Sequence, residues 1–465
     1  MATRFEKDTM GTVEVPADAY YGAQTQRAIA NFPISGLKPH PALVRATVRI
    51  KKCAAQANMK TGRLKDDLGQ AIVAAADEAL AGEFQDQFLV DPFQAGAGTS
   101  HNMNVNEVLA NRANEILGGE LGVYDKVNPN DHVNMAQSTN DVFPTAMRLA
   151  SLELADELAG ELEALVVALR RKGTEFDRIL KSGRTHLQDA VPIRLGQEFA
   201  AYAQAIEHNL AGLTRALPAL RELGIGGTAV GTGLNAEEAY IDLIVEALAR
   251  ETGQNLNRGK DLVERMQNME PFVALCASLK GTAVNLIRIA NDLRLLSSGP
   301  RTGLGEISLP AMQPGSSIMP GKVNPVLAEV TNMVCFHVVG AELAVTMAAQ
   351  AGQLELNVMM PVIAFNTLFS MEILKNCLHQ FTHRCVAGIS ASEERCRSYL
   401  DQSVGLATVL APSIGYAAAA EVAKESAKSG KSIREVILER GILTEKALDE
   451  VLAPYPLTTP GVHGE

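Results

Sequence analysis

Four segments of the sequence are rich in small hydroxyl and amide side chains, and three of them also contain glycine. Glycine lets backbone N–H groups approach an anion closely, while Ser, Thr and Asn add neutral hydrogen-bond donors. A helix that begins just after such a segment would add the positive end of its dipole. This composition therefore favours the binding of a carboxylate or a phosphate. The segments are residues 94–104, 128–141, 183–189 and 315–325.

Each segment also has an ordinary structural interpretation. Ser138, Thr139 and Asn140 in front of a helix would more often cap that helix than bind a ligand. Single histidines such as His132 and His186 are more often structural than functional. Composition alone therefore leaves the function open, although the presence of four such segments in one chain favours binding.

Two further motif matches are weaker. Residues 224–229 fit the Gly-x-Gly-x-x-Ala dinucleotide pattern, but they follow a helical pattern, and no strand–helix–strand unit surrounds them. The histidines at 101, 132 and 186 lack the close spacing of metal ligands. We therefore expect neither a bound cofactor nor a metal ion.

The balance of charged residues argues against a nucleic-acid surface. The chain has 53 acidic and 42 basic side chains and a net charge of −11, whereas nucleic-acid binding requires clustered Lys and Arg. The overall field repels an anionic substrate, so a local feature must attract it. Lys322, in the fourth segment, supplies one full positive charge for this purpose.

Cysteine usage and the first residues predict the compartment. The six cysteines are widely spaced and form no Cys-x-x-Cys motif, which indicates buried free thiols in a reducing compartment. The first ten residues are charged and lack the apolar region of a secretory signal. We expect a cytoplasmic protein without a membrane-spanning segment.

The elements that position these segments are predicted to be mostly helical, because Ala, Leu and Glu abound while aromatic residues make up only 5%. Between 146 and 172, leucines and an alanine recur every three or four residues, which predicts one buried helix face. The stretch 326–351 is apolar nearly all round, so it should lie at the centre of a bundle or in an oligomer interface. Other helices are predicted at 195–217, 236–252, 271–296 and 358–385.

These patterns predict a mainly α protein with three domains. Residues 1–137 are broken by Gly, Pro and Asn and should form a mixed, mostly helical domain. Residues 138–392 should form the central long-helix bundle, and residues 393–465 a small helical domain.

Residues 315–325, Gly-Ser-Ser-Ile-Met-Pro-Gly-Lys-Val-Asn-Pro, resemble the signature of the fumarase/aspartase superfamily. The other three segments occur in the family's order and spacing, and the similarity covers essentially the whole chain. The resemblance implies a three-domain helical subunit whose long helices form a twenty-helix core in a homotetramer. It also implies that each active site combines loops from three subunits.

The resemblance implies a reversible β-elimination from succinyl-type substrates that releases fumarate or a substituted fumarate. Ser316 matches the general base, whose oxyanion the loop N–H groups and Lys322 would stabilise. Proton removal would give an aci-carboxylate intermediate, and the other matching residues would bind the substrate. Thr99, Ser138, Thr139 and Ser317 match donors to the carboxylate that gains charge; Thr185, Lys322 and Asn324 match the site of the other carboxylate; Asn140 and His186 match positions beside the leaving group.

Four segments favour one branch of the family. Residues 96–100, 138–140, 20–22 and 353–359 resemble the members that release ammonia from L-aspartate. Residues 23–27 and 226–228 resemble the members that hydrate fumarate to L-malate, so hydration remains the alternative. A non-catalytic structural relative is a further class, but the sequence retains the residues that match the family's site, which argues against it: Ser316, Lys322, Asn324 and His186.

Overall fold

The structure, a computed structural model, describes residues 2–403 and 405–461, and helices account for most of them. The strands are short and form two-stranded sheets, so the fold is mainly α, as predicted. The helices are α1 (Ala23–Asn31), α2 (Pro41–Lys60), α3 (Asp66–Leu80), α4 (Thr99–Ile116), α5 (Thr139–Glu175), α6 (Leu195–Ala216), α7 (Glu238–Thr252), α8 (Leu262–Gln267), α9 (Glu270–Leu296), α10 (Val326–Gln350), α11 (Met360–Gln380), α12 (Glu393–Gln402), α13 (Leu406–Ile414), α14 (Tyr416–Ser429), α15 (Ile433–Glu439), α16 (Glu445–Val451) and α17 (Pro454–Thr458). The strands are β1 (Thr3–Asp8), β2 (Gly11–Pro16), β3 (Leu180–Thr185), β4 (Gln188–Arg194), β5 (Glu222–Leu223), β6 (Asn257–Arg258), β7 (Ile307–Ser308) and β8 (Ser390–Ala391).

The longest helix, α5, begins at Thr139, seven residues before the predicted start at 146. A reciprocal cap explains the earlier start. The Asn140 N–H donates to Ser138 Oγ at 3.2 Å, while the Ser138 N–H donates to Asp141 Oδ1 at 2.9 Å. The predicted buried face is confirmed, because every residue of this stripe is fully buried: Ala155, Leu158, Leu162, Leu165 and Leu169.

The other predicted long helices are confirmed to within two residues at each end, with one exception. Helix α11 ends at Gln380, whereas the prediction extended it to 385. Residues Phe381–Cys385 form a π-helical turn instead, and a short 3-10 turn follows at Val386–Gly388. The apolar pattern continues through these turns, so periodicity alone could not mark the change in backbone winding.

The chain divides into two compact units, each assembled from three separate segments. The first unit comprises residues 1–159, 211–283 and 336–375, and the second comprises 160–210, 284–335 and 376–465. Each has a hydrophobic core of its own, around Val105 and Leu109 in the first and around Leu410 and Val436 in the second. The predicted boundaries at 137/138 and 392/393 remain predictions, and residues 404 and 462–465 of the third predicted domain lie outside the described residues.

Two long helices, α9 and α10, have the length and hydropathy of a membrane span. The most apolar windows of α9 and α10 are 44% and 33% buried, respectively. Core and interface helices of globular proteins share this composition, so it does not by itself indicate a membrane.

All six cysteines are free and buried, as predicted. Burial raises the pKa of the Cys53 and Cys385 thiols to about 12. These thiols stay protonated at neutral pH and are therefore unreactive.

Candidate active site

The first predicted segment forms a tight glycine turn in front of α4. The Ala97 N–H donates to the Val358 carbonyl at 2.9 Å, which fixes the turn. Gly98 has a φ of +83°, and a Cβ there would lie 2.2 Å from the Phe143 ring, so only glycine fits. Thr99 follows as the first residue of α4 and is exposed. Its hydroxyl therefore lies at the positive end of a helix, as anion binding requires.

The second predicted segment begins α5. Thr139 Oγ1 accepts a hydrogen bond from Asn102 Nδ2 at 3.2 Å, which links this segment to α4. The Asn140 Nδ2 donates to the Ala229 carbonyl at 2.8 Å. This bond fixes the amide, so Asn140 Oδ1 is left as the acceptor of that side chain. Ser138, Thr139 and Asn140 are all half-buried.

The buried carboxylate of Asp141 holds the Ser138–Asn140 segment in place by hydrogen bonds. Asp141 is fully buried and accepts backbone N–H groups from Ser138, Gly226 and Thr228 at 2.9–3.0 Å. Burial raises the pKa of Asp141 to about 6, although the three N–H donors and Lys51 oppose that rise. Two of these donors, Gly226 and Thr228, belong to residues 224–229, the segment that matches a dinucleotide pattern. Asp141 therefore holds this segment against the start of α5.

A buried lysine completes this support. Lys51 is fully buried, and its Nζ donates to Asn134 Oδ1 and Gln137 Oε1, both at 2.9 Å. Burial lowers the pKa of Lys51 to about 7, and attraction to Asp141 partly offsets the shift. Sequence reasoning missed the roles of Asp141 and Lys51. Asp141 lies inside the second predicted segment, but Lys51 lies in α2 without a local signal.

The pKa of Lys51 predicts how stability changes with pH. Because the folded pKa is about 7 and an unfolded lysine has a pKa of about 10.4, the unfolded state binds more protons between these values. The free energy of unfolding of the native protein should therefore rise with pH, relative to Lys51→Met, by on the order of 4 kcal/mol between about pH 7 and pH 10. Urea unfolding of both proteins across this range measures the difference, and a flat difference would contradict the prediction.

The histidines at 101 and 132 have structural contacts. His101 is buried, its Nε2 lies 2.9 Å from Thr47 Oγ1, and burial lowers its pKa to about 4, so it is neutral. His132 Nδ1 accepts the Asn128 N–H at 2.9 Å within the π-helical turn Pro129–Val133.

The third predicted segment forms the tip of a β-hairpin. Strands β3 and β4 pair antiparallel, and Thr185 lies opposite Gln188. The two turn residues, His186 and Leu187, have φ values of +56° and +59°. Both central residues of a two-residue hairpin turn adopt positive φ, which costs non-glycine residues conformational energy. His186 is therefore held in an exposed, strained turn, a feature typical of functional sites, and the exposed Thr185 precedes it at the end of β3.

The fourth predicted segment is a closed loop in front of α10. The Gly315 N–H donates to the Lys322 carbonyl at 2.7 Å, and Asn324 Nδ2 donates to the Gly315 carbonyl at 2.8 Å. Ser316 Oγ accepts the backbone N–H groups of Ile318 at 3.2 Å and Met319 at 3.0 Å.

The side chains of this loop face solvent. Ser317 and Lys322 are exposed, and the isoleucine between them, Ile318, is 84% exposed. The loop thus presents a hydroxyl supported by two N–H donors, together with a lysine, at the surface of its unit.

The predicted site residues are divided between the two compact units. Thr99, Ser138, Thr139 and Asn140 belong to the first unit, where hydrogen bonds join α4 to the start of α5. The second unit contains the remaining six: Thr185, His186, Ser316, Ser317, Lys322 and Asn324. Most of these side chains are hydroxyls and amides, and the second set adds the cation Lys322; this composition suits a dicarboxylate.

Comparison with known proteins identifies the family of this chain. The model of a family described as "Lyase" matches residues 11–340, and the model described as "Fumarase C C-terminus" matches residues 406–459. The chain belongs to the fumarase/aspartase superfamily. The first match alone covers more than half of the chain and contains all the predicted site residues of this lyase.

Curated relatives of this lyase are similar over nearly their full length. An aspartate ammonia-lyase from Bacillus subtilis (strain 168) is 51% identical over 462 residues, which are 99% of this chain and 97% of the relative. An aspartate ammonia-lyase from Escherichia coli (strain K12) is 48% identical over 460 residues, 98% of this chain and 96% of the relative.

Solved structures share the fold of this lyase. A fumarate lyase:delta crystallin from Brucella melitensis, bound to cobalt, has a TM-score of 0.95 and 49% identity over 99% of this chain and 100% of that one. A class II fumarase from Schistosoma mansoni has a TM-score of 0.91 and 38% identity over 97% of this chain and 98% of that one. These similarities confirm the predicted fold class.

Proposed function

We propose that the protein catalyses the reversible elimination of ammonia from L-aspartate to give fumarate. The observation that carries this proposal is the identity of about half of all residues, over nearly the full chain, with aspartate ammonia-lyases. Identity with the Schistosoma mansoni fumarase is lower, at 38%. Residues 226–228, which look fumarase-like, contribute backbone N–H groups to Asp141, a role that does not depend on the leaving group.

In this proposal Ser316 removes a proton from Cβ of the substrate, the carbon next to the carboxylate that gains charge. A serine hydroxyl is normally too weak an acid to serve as an alkoxide base, so its charge needs stabilisation. The N–H groups of Ile318 and Met319 already point at Ser316 Oγ, and Lys322 in the same loop adds a positive charge. Closure of this exposed loop over the substrate would exclude water and strengthen these interactions.

Proton removal places a second negative charge on the adjacent carboxylate. Hydroxyl donors that point at this group stabilise the aci-carboxylate more than the substrate, which lowers the barrier. We assign Thr99, Ser138, Thr139 and Ser317 to this carboxylate. We assign Thr185, Lys322 and Asn324 to the other one.

The leaving group distinguishes the two candidate reactions. The amino group of the substrate is already protonated, so it needs hydrogen-bond acceptors and leaves as neutral ammonia without an acid, whereas a hydroxyl group needs an acid to leave as water. The bond from Asn140 Nδ2 to the Ala229 carbonyl leaves Asn140 Oδ1 to accept from an ammonium group. We assign Asn140, together with His186, to the position beside the leaving group.

We expect Asn140→Ala to lower kcat/KM for L-aspartate roughly tenfold to hundredfold, because one oriented acceptor of the ammonium is lost. The inhibition constant of succinate, which has no amino group, should change less than about threefold. Steady-state kinetics with succinate as inhibitor measure both quantities. Asn255→Ala, at an exposed amide, is the matched control, and equal losses for aspartate and succinate would contradict the assignment.

We also propose a homotetramer in the cytoplasm, with a twenty-helix core and active sites shared between subunits. Helix α10 supports this proposal because one of its faces carries large apolar side chains that are exposed in the single chain. These residues are Val330, Met333, Phe336, Leu343 and Met347, which are between 40% and 65% exposed. Sedimentation velocity of the native protein tests the oligomeric state.

The proposed activity is tested by following fumarate absorbance after the purified protein is added to L-aspartate or, separately, to L-malate. Fumarate from aspartate alone supports the proposal. Fumarate from malate alone would identify a fumarate hydratase instead. A lack of product from both would direct the search to other substituted succinates and leave the fold unaffected.

A further inference from the structure

Three side chains capable of binding a metal converge where α5 passes α11, outside the residues proposed for catalysis. They are Glu161 from α5, His379 from the end of α11 and His383 from the π-helical turn that follows. Their candidate ligand atoms all lie within 4.8 Å of one another. All three belong to the second compact unit.

The contacts inside this cluster are close. Glu161 Oε1 lies 3.1 Å from His379 Nδ1, and the two imidazole ring centroids are 4.6 Å apart with an interplanar angle of 54°. The histidines are four residues apart, a spacing that places both on one side of a helix. A π-helical turn at this point is also a feature that is common at functional sites.

A second observation, at the other oxygen of Glu161, points to a bound cation. The other carboxylate oxygen, Glu161 Oε2, is buried and has no hydrogen-bond partner among the residues that the structure describes. An unpartnered buried carboxylate oxygen is costly, and a cation at this position would satisfy it. Both histidines are exposed, so an ion can reach the cluster from solvent.

One helical turn earlier, the same two helices are joined by an ordinary ion pair. Lys375 Nζ lies 2.6 Å from Glu157 Oε2, and it also contacts Glu372. The lysine therefore already neutralises the carboxylate there. At the next turn two imidazoles replace the ammonium group, so that ring nitrogens capable of binding a metal take the place of a fixed positive charge.

We propose that Glu161, His379 and His383 bind one divalent transition-metal ion, Zn²⁺, which links α5 to α11. Two imidazole nitrogens and one carboxylate are a common ligand set for this ion, and water would occupy the fourth position. In a tetrahedral site with bonds of about 2.0–2.1 Å, ligand atoms are about 3.3 Å apart. Small rotamer changes of the exposed histidines bring their nitrogens to this separation.

Mg²⁺ should not bind, because it requires octahedral oxygen coordination. Zn²⁺ binds only the folded arrangement of the three ligands, so it should raise Tm by a few degrees. The site contains no residue assigned to the substrate, so its existence does not depend on the proposed reaction.

The test uses the full-length protein after treatment with a chelator. Isothermal titration with Zn²⁺ should give one ion per chain, and Co²⁺ should develop the visible absorption bands of tetrahedral coordination. Glu161→Gln, His379→Gln and His383→Gln should each weaken Zn²⁺ binding at least about tenfold and abolish the rise in Tm. Circular dichroism confirms that each variant folds.

Two matched controls remove the same kinds of side chain, a carboxylate and an imidazole, at positions outside the cluster. Glu157→Gln removes the carboxylate one turn away, and His208→Gln removes an exposed histidine on α6. Both should retain the native affinity within about twofold. Absence of Zn²⁺ binding, native affinity in all three cluster variants, or an equal loss in Glu157→Gln would overturn the proposal.

Discussion

Ser316→Ala is expected to lower kcat for L-aspartate by about 10²-fold to 10⁴-fold, since a general base accounts for a factor of this size. The hydroxyl is half-buried in a surface loop, so the free energy of unfolding should change by less than about 0.5 kcal/mol. Single-turnover kinetics measure the chemical step, and urea unfolding measures stability.

The binding of succinate separates a catalytic role from a binding role. Because succinate needs no proton removal, its dissociation constant should change less than about threefold in Ser316→Ala. Ser398→Ala, at a serine on α12, serves as the control for loss of a hydroxyl. A Ser316→Ala variant that retains a tenth or more of native kcat would exclude Ser316 as the base.

Asp141→Ala is expected to have the largest effect on stability. It removes the acceptor of three backbone N–H groups, those of Ser138, Gly226 and Thr228, and the side chain is fully buried. Each unsatisfied buried donor costs about 1–3 kcal/mol, so the loss of three partners should lower the free energy of unfolding by roughly 3–9 kcal/mol. This loss is a large part of the total stability of a typical protein, which is about 5–15 kcal/mol. Urea unfolding measures it.

Two further variants distinguish this anchoring role from a general effect of charge. Asp141→Asn retains one acceptor oxygen and should lose about half as much stability, while kcat/KM for L-aspartate falls because the Ser138–Asn140 segment shifts. Asp131→Ala, at an exposed aspartate in a nearby segment, should change the free energy of unfolding by less than about 0.5 kcal/mol. An Asp141→Ala variant as stable as Asp131→Ala would disprove the anchoring role.

Asp141 also shows that the sequence predicted only part of the site. Ser138, Thr139 and Asn140 stood out because helix starts and anion sites both select such side chains. The glycines at 224–229 were set aside as a cofactor motif because no strand–helix–strand unit surrounds them, and their position against Asp141 was not foreseen. That contact joins residues about 85 positions apart, and local composition carries no record of it.

The hairpin at His186 illustrates a conformational limit. Its sequence lacks the Asn-Gly or Asp-Gly pair that marks two-residue turns, so positive φ at both His186 and Leu187 was not expected. Similarly, the two histidines of the proposed zinc site are readable as a four-residue spacing, but their carboxylate partner Glu161 comes from a helix more than 200 residues earlier. The sequence-based expectation of no metal considered only the histidines at 101, 132 and 186.

The sequence by itself determined the family, the mainly α fold, the positions of the long helices and the free state of the cysteines. These properties depend on short-range periodicity and on a long, specific motif, and both can be recognised within short stretches of consecutive residues. Tertiary structure alone decided the support of the Ser138–Asn140 segment by Asp141 and Lys51, the orientation of the Asn140 amide and the convergence of Glu161 with His379 and His383. Each of these depends on contacts between distant parts of the chain, which form only when packing brings buried polar groups within hydrogen-bond distance.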